Sequence, residues 1–443
     1  MLDTPKQWCW FVAVLAAAMV LRVGVYVSVW RDTSRAMTPD SAGYVELADR
    51  IDAGAGFVDD TGRAEVFRTP GYPMLLALAN RLGGPRTLLA LQVLMDIGLV
   101  AVTFALATHL TTASSATWAM LFQAVSPLAV AASCRLLTDS VFAFLLGMSV
   151  LFWLRADRED RELSLMASAL LIAAACYIRP VGVLLAGIMA CFVLFTSRGI
   201  RRFILFGAVV FLTVGPWVLR NEKQADYRGF SSVASVSVYR YTVAELMARE
   251  WEIDVADARY ALDREFEQQE FSTVGEEVRY HRAYAQKAIR YEPIEALTVH
   301  LSGVKGFWLP GVTDALEVAG MTTGQKGTLD VLHRDGVRAA AEHYFKGNDR
   351  AMWIAGVLGM LFAAKLIGVL AFVITRASTP REIPVAGWML ATIVVVLALA
   401  GGAASTPRFR VPVDPLLSIA AAAGWLTLIR WRRDDKMPSI ESV

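Results

Sequence analysis

GYPMLLALANRLG (71–83) decides how this chain is threaded. The stretch is apolar, but it falls well short of the ~20 residues an α-helix needs to cross a hydrocarbon core. Counted as a crossing, it gives eleven spans and reverses the side of every later loop. Read as a short helix lying along an interface, it leaves ten, at about 8–30, 87–110, 115–133, 138–155, 163–178, 180–197, 203–219, 351–375, 384–404 and 412–430. The arginines choose between the two. With ten spans and a cytoplasmic N-terminus, RADREDRE (155–162), SRGIRR (197–202), TRASTPRE (375–382) and RWRRDDK (430–436) all lie inside, as the bias of basic residues toward cytoplasmic loops requires. The same count places 31–86 and 221–350 outside.

Composition agrees with a membrane protein. Of 443 residues, 56% are hydrophobic and 19% charged, and the mean hydropathy is +0.46, values a soluble chain of this size rarely reaches. The expected class is an all-α polytopic membrane protein, with a long first outer loop carrying interfacial helices and a small, mainly helical outer domain. Residues 1–220 form an N-terminal membrane module, 221–350 the outer region, 351–436 the C-terminal helices and 437–443 a cytoplasmic tail. From Tyr239 to Tyr291 apolar residues recur at helical spacing. A net charge of +2 points to no nucleic-acid partner. Cys9, Cys134, Cys176 and Cys191 sit in or beside apolar spans without CxxC spacing and read as small core residues. No Walker, HExxH, GxSxG or GxGxxG pattern is present, which argues against a nucleotide-driven pump or a metalloprotease. The five histidines have no metal-ligand spacing, and Asp59 and Asp60 read as a solvated turn.

Several polar residues stand out on the outer side. Asp40, in MTPDSAGYVELADRI (37–51), is the first acid beyond the first span. Arg135 and Asp139 share the short connection SCRLLTDS (133–140). Arg179 precedes Pro180, Arg220 ends the seventh span beside Asn221, and Arg408 and Arg410 lie between Pro407 and Pro412. Charges at membrane depth are costly unless paired or lining a polar cavity, and arginines at the outer ends of separate helices suit a bound anion such as phosphate. Each also has a plainer reading. Arg135 reads as a residue snorkelling to the interface; Asp40 and Asp139 can be helix caps.

Together, TPDSAGYVELADRI, FRTPGYPMLLAL, SPLAVAASCRLLTDSVFAFLL, YIRPVGVLL, GPWVLRN and RFRVPVDPLLSIAAAAGW resemble, in order and spacing, the markers of the C-type glycosyltransferase superfamily. Within it they are similar to the bacterial branch of aminoarabinose transferase-like, protein mannosyltransferase-like and rhizobial galacturonosyltransferase-like proteins. The resemblance covers roughly 8–220 and 380–430. It implies a sugar donor on polyprenyl phosphate, an unidentified envelope acceptor and an active site facing outward from the cytoplasmic membrane. Asp40 would be the general base on the acceptor hydroxyl, with Asp139 as the second acid. Arg408, Arg410, Arg179 and Arg220 would hold the donor phosphate, and Tyr44, Arg68 and Tyr72 would line the substrate groove. There is no DxD, so no metal or other cofactor is expected. A lipid-linked saccharide flippase, or a non-catalytic partner subunit, is the alternative. A flippase accounts for the arginines but leaves the paired acids unexplained.

Overall fold

The computed structural model describes residues 5–196, 199–321, 324, 328–378 and 383–434. The expected tail 437–443 and parts of the basic segments at 197–198, 379–382 and 435–436 lie outside them. The described residues are helical almost throughout; the sole β feature among them is one bridge between Val58 and Ala64.

The chain opens with α1 (Pro5–Arg31), followed by a 3-10 turn (Thr33–Ala36) and α2 (Pro39–Asp52). Thr38 and Ser41 form a reciprocal capping box at the start of α2, with Pro39 at its first position. Next comes α3 (Gly71–Leu82), the short helix expected at 71–83, and then α4 (Pro85–Leu110). The tight passage between them uses Gly83 and Gly84, whose φ values of 144° and 87° disfavour other residues.

The span expected at 115–133 is broken. α5 (Ala113–Ala124) and α6 (Pro127–Ser133) meet at 55°. Pro127 lacks the N–H that would continue the helix, so carbonyls at the break need other donors. Arg22 of α1 supplies them, donating to Ala124 O (2.8 Å) and Gln123 O (3.3 Å), while its Nε meets Asp96 of α4 at 2.6 Å. Arg22 and Asp96 are both fully buried; neither stood out in the sequence.

α7 (Asp139–Glu159), α8 (Glu162–Ile178), α9 (Val181–Val193) and α10 (Gly199–Ala225) complete the first half. α7 is the central post: 72% of its apolar window is buried, against 22% for α1 and 17% for α10. After 221–350 come α18 (Asp349–Ala377), α19 (Val385–Ala400), the 3-10 turns Gly402–Ala404 and Pro407–Val413, and α20 (Asp414–Asp434). Six helices among the described residues are long and apolar enough to cross a membrane, and the bent α5–α6 pair makes a seventh. At the other three expected positions stand the shorter apolar helices α8, α9 and α19. This is an all-α, multi-pass membrane protein.

The segment 221–350 carries α11 (Val233–Ser237), a π-helical stretch (Val238–Val243), α12 (Ala244–Trp251), α13 (Val255–Glu267), α14 (Val274–Tyr291), α15 (Pro293–Phe307), α16 (Val312–Val318) and α17 (Thr328–Tyr344). It has its own aromatic core, in which the His281 ring stacks on Phe266 at 4.5 Å and lies 4.6 Å from Tyr239. α15 binds this segment to the bundle. A Cβ on Gly303 would collide with Gly402 O, and one on Gly306 with Ser405 O, so the helix lies directly on the backbone of the turn that leads to Arg408.

Candidate active site

Five chain connections meet at one end of the bundle. Ala36 O accepts from Leu136 N (2.9 Å), and Ser41 Oγ donates to Leu136 O (2.9 Å), joining the start of α2 to the turn before α7. Thr69 Oγ1 donates to Ile178 O (3.1 Å), and Gly71 packs so closely that a Cβ would lie 2.6 Å from Tyr177 O. That contact explains the FRTPGYP stretch: Thr69 and Gly71 seat α3 against the end of α8, just before Arg179. The turn 405–413 closes the group.

Two ion pairs stand in this space. Arg408 Nη2 donates to Asp40, and Arg179 Nη1 donates to Asp139. Their exposures differ in a way that separates the acids: the Asp40 side chain is 47% exposed, that of Asp139 only 2%. Phe409 lies between the cations, its ring 5.5 Å from the Arg408 guanidinium and 5.1 Å from that of Arg179. Neither acid is a helix cap. Thr38 caps α2, and α7 has no side-chain cap at all.

Tyr44 lies within electrostatic reach of both pairs. Burial pushes its phenol up, Arg179 and Arg68 pull it back, and Asp40 and Asp139 push it further up. It therefore stays a neutral hydroxyl. Tyr44 packs edge-on against Tyr72 at 5.0 Å, and the Tyr72 hydroxyl is held by Gln92 Oε1 at 2.7 Å. The Arg68 guanidinium lies 5.2 Å from the Tyr44 ring and rests on Gly43. Among the described residues Arg68 makes no ion pair and no side-chain hydrogen bond. Three guanidinium groups (68, 179 and 408) thus face two carboxylates (40 and 139) in one cluster.

Two of the expected arginines are elsewhere. Arg410 is 1% exposed, donates to the carbonyls of Phe307 and Leu309 (2.9 Å to the latter), and stacks on Phe362 at 4.4 Å. Arg220 donates to Glu65 O (2.7 Å) and Phe57 O and stacks on Trp217 at 4.8 Å. Both fasten backbone. Arg135 does not snorkel: it is 6% exposed and reaches Glu317 (2.8 Å) and Asp314 (3.6 Å) of α16. Asp314, which sequence reasoning passed over, is near enough to feel Arg408 and Asp139. Burial raises its carboxyl, Arg135 and Arg408 lower it, and Glu317 and Asp139 raise it. No group of three or more His, Cys, Asp or Glu among the described residues is arranged to hold a metal.

The fold and part of the sequence are similar to those of known proteins. The sequence model of the dolichyl-phosphate-mannose-protein mannosyltransferase family matches residues 68–219. The archaeal oligosaccharyltransferase AglB from Archaeoglobus fulgidus, solved with an inhibitory peptide and a dolichol-phosphate, superposes with a TM-score of 0.53 at 12% identity, covering 99% of this chain and 53% of that one. The apo form of the same enzyme gives 0.53 at 14%, covering 96% and 52%. ArnT from Cupriavidus metallidurans bound to undecaprenyl phosphate gives 0.44 at 17%, covering 95% and 78%. The chain spans about half the length of the archaeal structures it matches. A search of curated proteins finds no match. The family match over residues 68–219 and the fold shared with AglB support the C-type glycosyltransferase superfamily for this chain.

Proposed function

We propose that this protein transfers a hexosyl or pentosyl unit from a polyprenyl-phosphate donor to a hydroxyl of an envelope acceptor, at the outer face of the cytoplasmic membrane and with inversion. The reading rests chiefly on one observation: two arginine-paired acids, one of them accessible, gathered around Tyr44 beside Arg68, which has no ion pair among the described residues.

The parts divide the chemistry. The acceptor oxygen bonds to the anomeric carbon as that carbon's bond to the phosphate oxygen breaks; the electrons leave with polyprenyl phosphate, and the acceptor proton passes to Asp40. Exposure suits Asp40 to meet an acceptor arriving from solution, whereas buried Asp139 holds Arg179 in place. The leaving phosphate needs fixed positive charge. Arg68 offers its charge first. Arg408 and Arg179, neutralised by acids without donor, then share their donors with the phosphate, which loosens the hold of Arg408 on Asp40. With cations in this role we propose that the reaction needs no metal.

The test is Asp40→Asn in purified protein. Turnover should be lost while polyprenyl-phosphate binding is retained. Full activity in that variant would remove Asp40 as the base, and a wild type that moves lipid-linked saccharide across a bilayer without glycosidic product would favour a flippase.

A further inference from the structure

A cavity of about 400 Å³ opens where the end of α10 meets α14, a volume in the range of small-ligand sites. Its lining is polar and charged, unlike a lipid groove: Glu222, Asp226, Arg228, Arg279 and Arg282 line it together with Tyr227. The left-handed turn at Asp226 (φ 54°) ends α10, and Arg279 covers that end, donating to Asp226 O (3.1 Å) and to its carboxylate (2.8 Å). Arg228 is likewise occupied by Glu222 at 2.7 Å. Arg282 is not. Among the described residues it makes no ion pair, although it lies close enough to Tyr227 to offset part of the rise that burial imposes on that phenol.

The groove backs onto the catalytic end. Val278 and Ala225 pack with Val66, with Ala64 and Tyr227 beside them. Ser232 N donates to Val66 O (2.9 Å), and Ser231 Oγ donates to Phe67 O, one residue before Arg68. Val278 of its lining thus packs on Val66, in the segment 64–68 that ends at Arg68.

We infer that this groove seats an anionic saccharide, carrying a carboxylate or phosphate, as the part of the acceptor that lies beyond the reacting hydroxyl. The inference rests on the transferase reading for its role, but the chemistry of the groove stands alone. The paired arginines and acids offer donors and acceptors to a sugar's hydroxyls, and the three arginines against two carboxylates leave one positive charge for an anion.

The probe is tetragalacturonate, titrated into the purified full-length protein in nanodiscs without donor. It should bind at least tenfold more tightly than its methyl ester, and Arg282→Ala and Arg282→Glu should each weaken it tenfold or more, with Arg282→Lys retaining most of the affinity. Equal binding of acid and ester, unchanged binding in Arg282→Glu, or equal competition by tetraglutamate or inorganic phosphate would overturn the proposal. Since no turnover is read, a protein that binds the probe but transfers no sugar would count against the transferase reading alone.

Discussion

Gly43 faces the guanidinium of Arg68 so closely that even a methyl group on its α-carbon would collide with it. The missing side chain lets Arg68 lie across α2 beside Tyr44. Because the clash is with the far end of a flexible side chain, Gly43→Ala should displace Arg68 without disturbing the fold. Alanine in a helix interior even favours the helix, by about 1 kcal/mol. The expected result is an undiminished melting temperature with a fall of about 10²-fold in kcat/KM, as a misplaced group of this kind produces. Kinetics with a polyprenyl-phosphate sugar, alongside thermal unfolding, would check it; a Gly43→Ala enzyme of normal activity would show that Arg68 has no part in the reaction.

Arg408 and Arg410 should respond to substitution in opposite ways. Arg408→Ala removes a cation from the cluster and is expected to weaken polyprenyl-phosphate binding at least tenfold while leaving the protein folded. Arg410→Met strands the carbonyls of Phe307 and Leu309, at about 1–3 kcal/mol for each buried group left unpaired. Its signature is a lowered melting temperature, with donor affinity little changed in the protein that remains folded.

Inside the bundle, Lys365 of α18 meets Asp414 of α20 at 2.7 Å, with both side chains almost wholly buried. Lys365→Met leaves a buried carboxylate without its partner and should cost about 3–5 kcal/mol. Lys365→Met combined with Asp414→Leu should recover most of that loss, because replacing both charges removes the desolvation penalty with them. Unfolding of the three variants in detergent compares them directly; a double variant no better than Lys365→Met would show that the pair's contribution lies in something other than charge balance.

His281 makes the segment 221–350 sensitive to acid. Burial in its aromatic stack, with Arg240 adding to the effect, pushes the imidazole down to about 4 from its usual 6.5. A depressed value means that the folded segment resists protonation and the unfolded chain accepts it. Stability is therefore full above about pH 6.5 and is lost as the pH falls from there toward 4. Hydrogen exchange in 274–291 should rise across that window and do so much less in His281→Phe. A flat profile in the wild type would contradict this.

The proposed metal independence is directly measurable. With arginines carrying the phosphate charge, turnover should persist in excess EDTA, and added magnesium or manganese should change it less than twofold. Loss of activity in EDTA, restored by one cation, would transfer the charge-neutralising role from Arg68, Arg179 and Arg408 to that ion.

The helical bundle was legible because its signals are local: apolar length, and the side on which arginines fall. Asp40, Asp139, Arg179 and Arg408 were visible as polar residues at the ends of apolar segments, on the side where basic residues are scarce. The same signal marked Arg410 and Arg220, which the structure turns toward backbone carbonyls. Residue type and depth are written in the sequence, but the direction of a side chain is set by what packs around it. Arg408 and Arg410 stand two positions apart in one 3-10 turn and serve opposite sides of it. The kink at 125–126 was hidden for a related reason. Pro127 was in plain view, yet a broken span becomes tolerable only when Arg22, over a hundred positions away, supplies the missing donors. Asp314 and Glu317 gave no local sign either, since their pairing with Arg135 joins segments about 180 residues apart.

Arg408 reaches Asp40 across 368 positions of chain, from the turn that leads into α20. While the protein is being synthesised, then, the helices from α2 to α19 must be made before that contact can exist. A chain stalled before the 3-10 turn Pro407–Val413 would hold Asp40, Asp139, Arg179 and Arg68 without the cation that pairs with the proposed base. The proposed base therefore meets its cation only after every helix from α2 to α19 has been made.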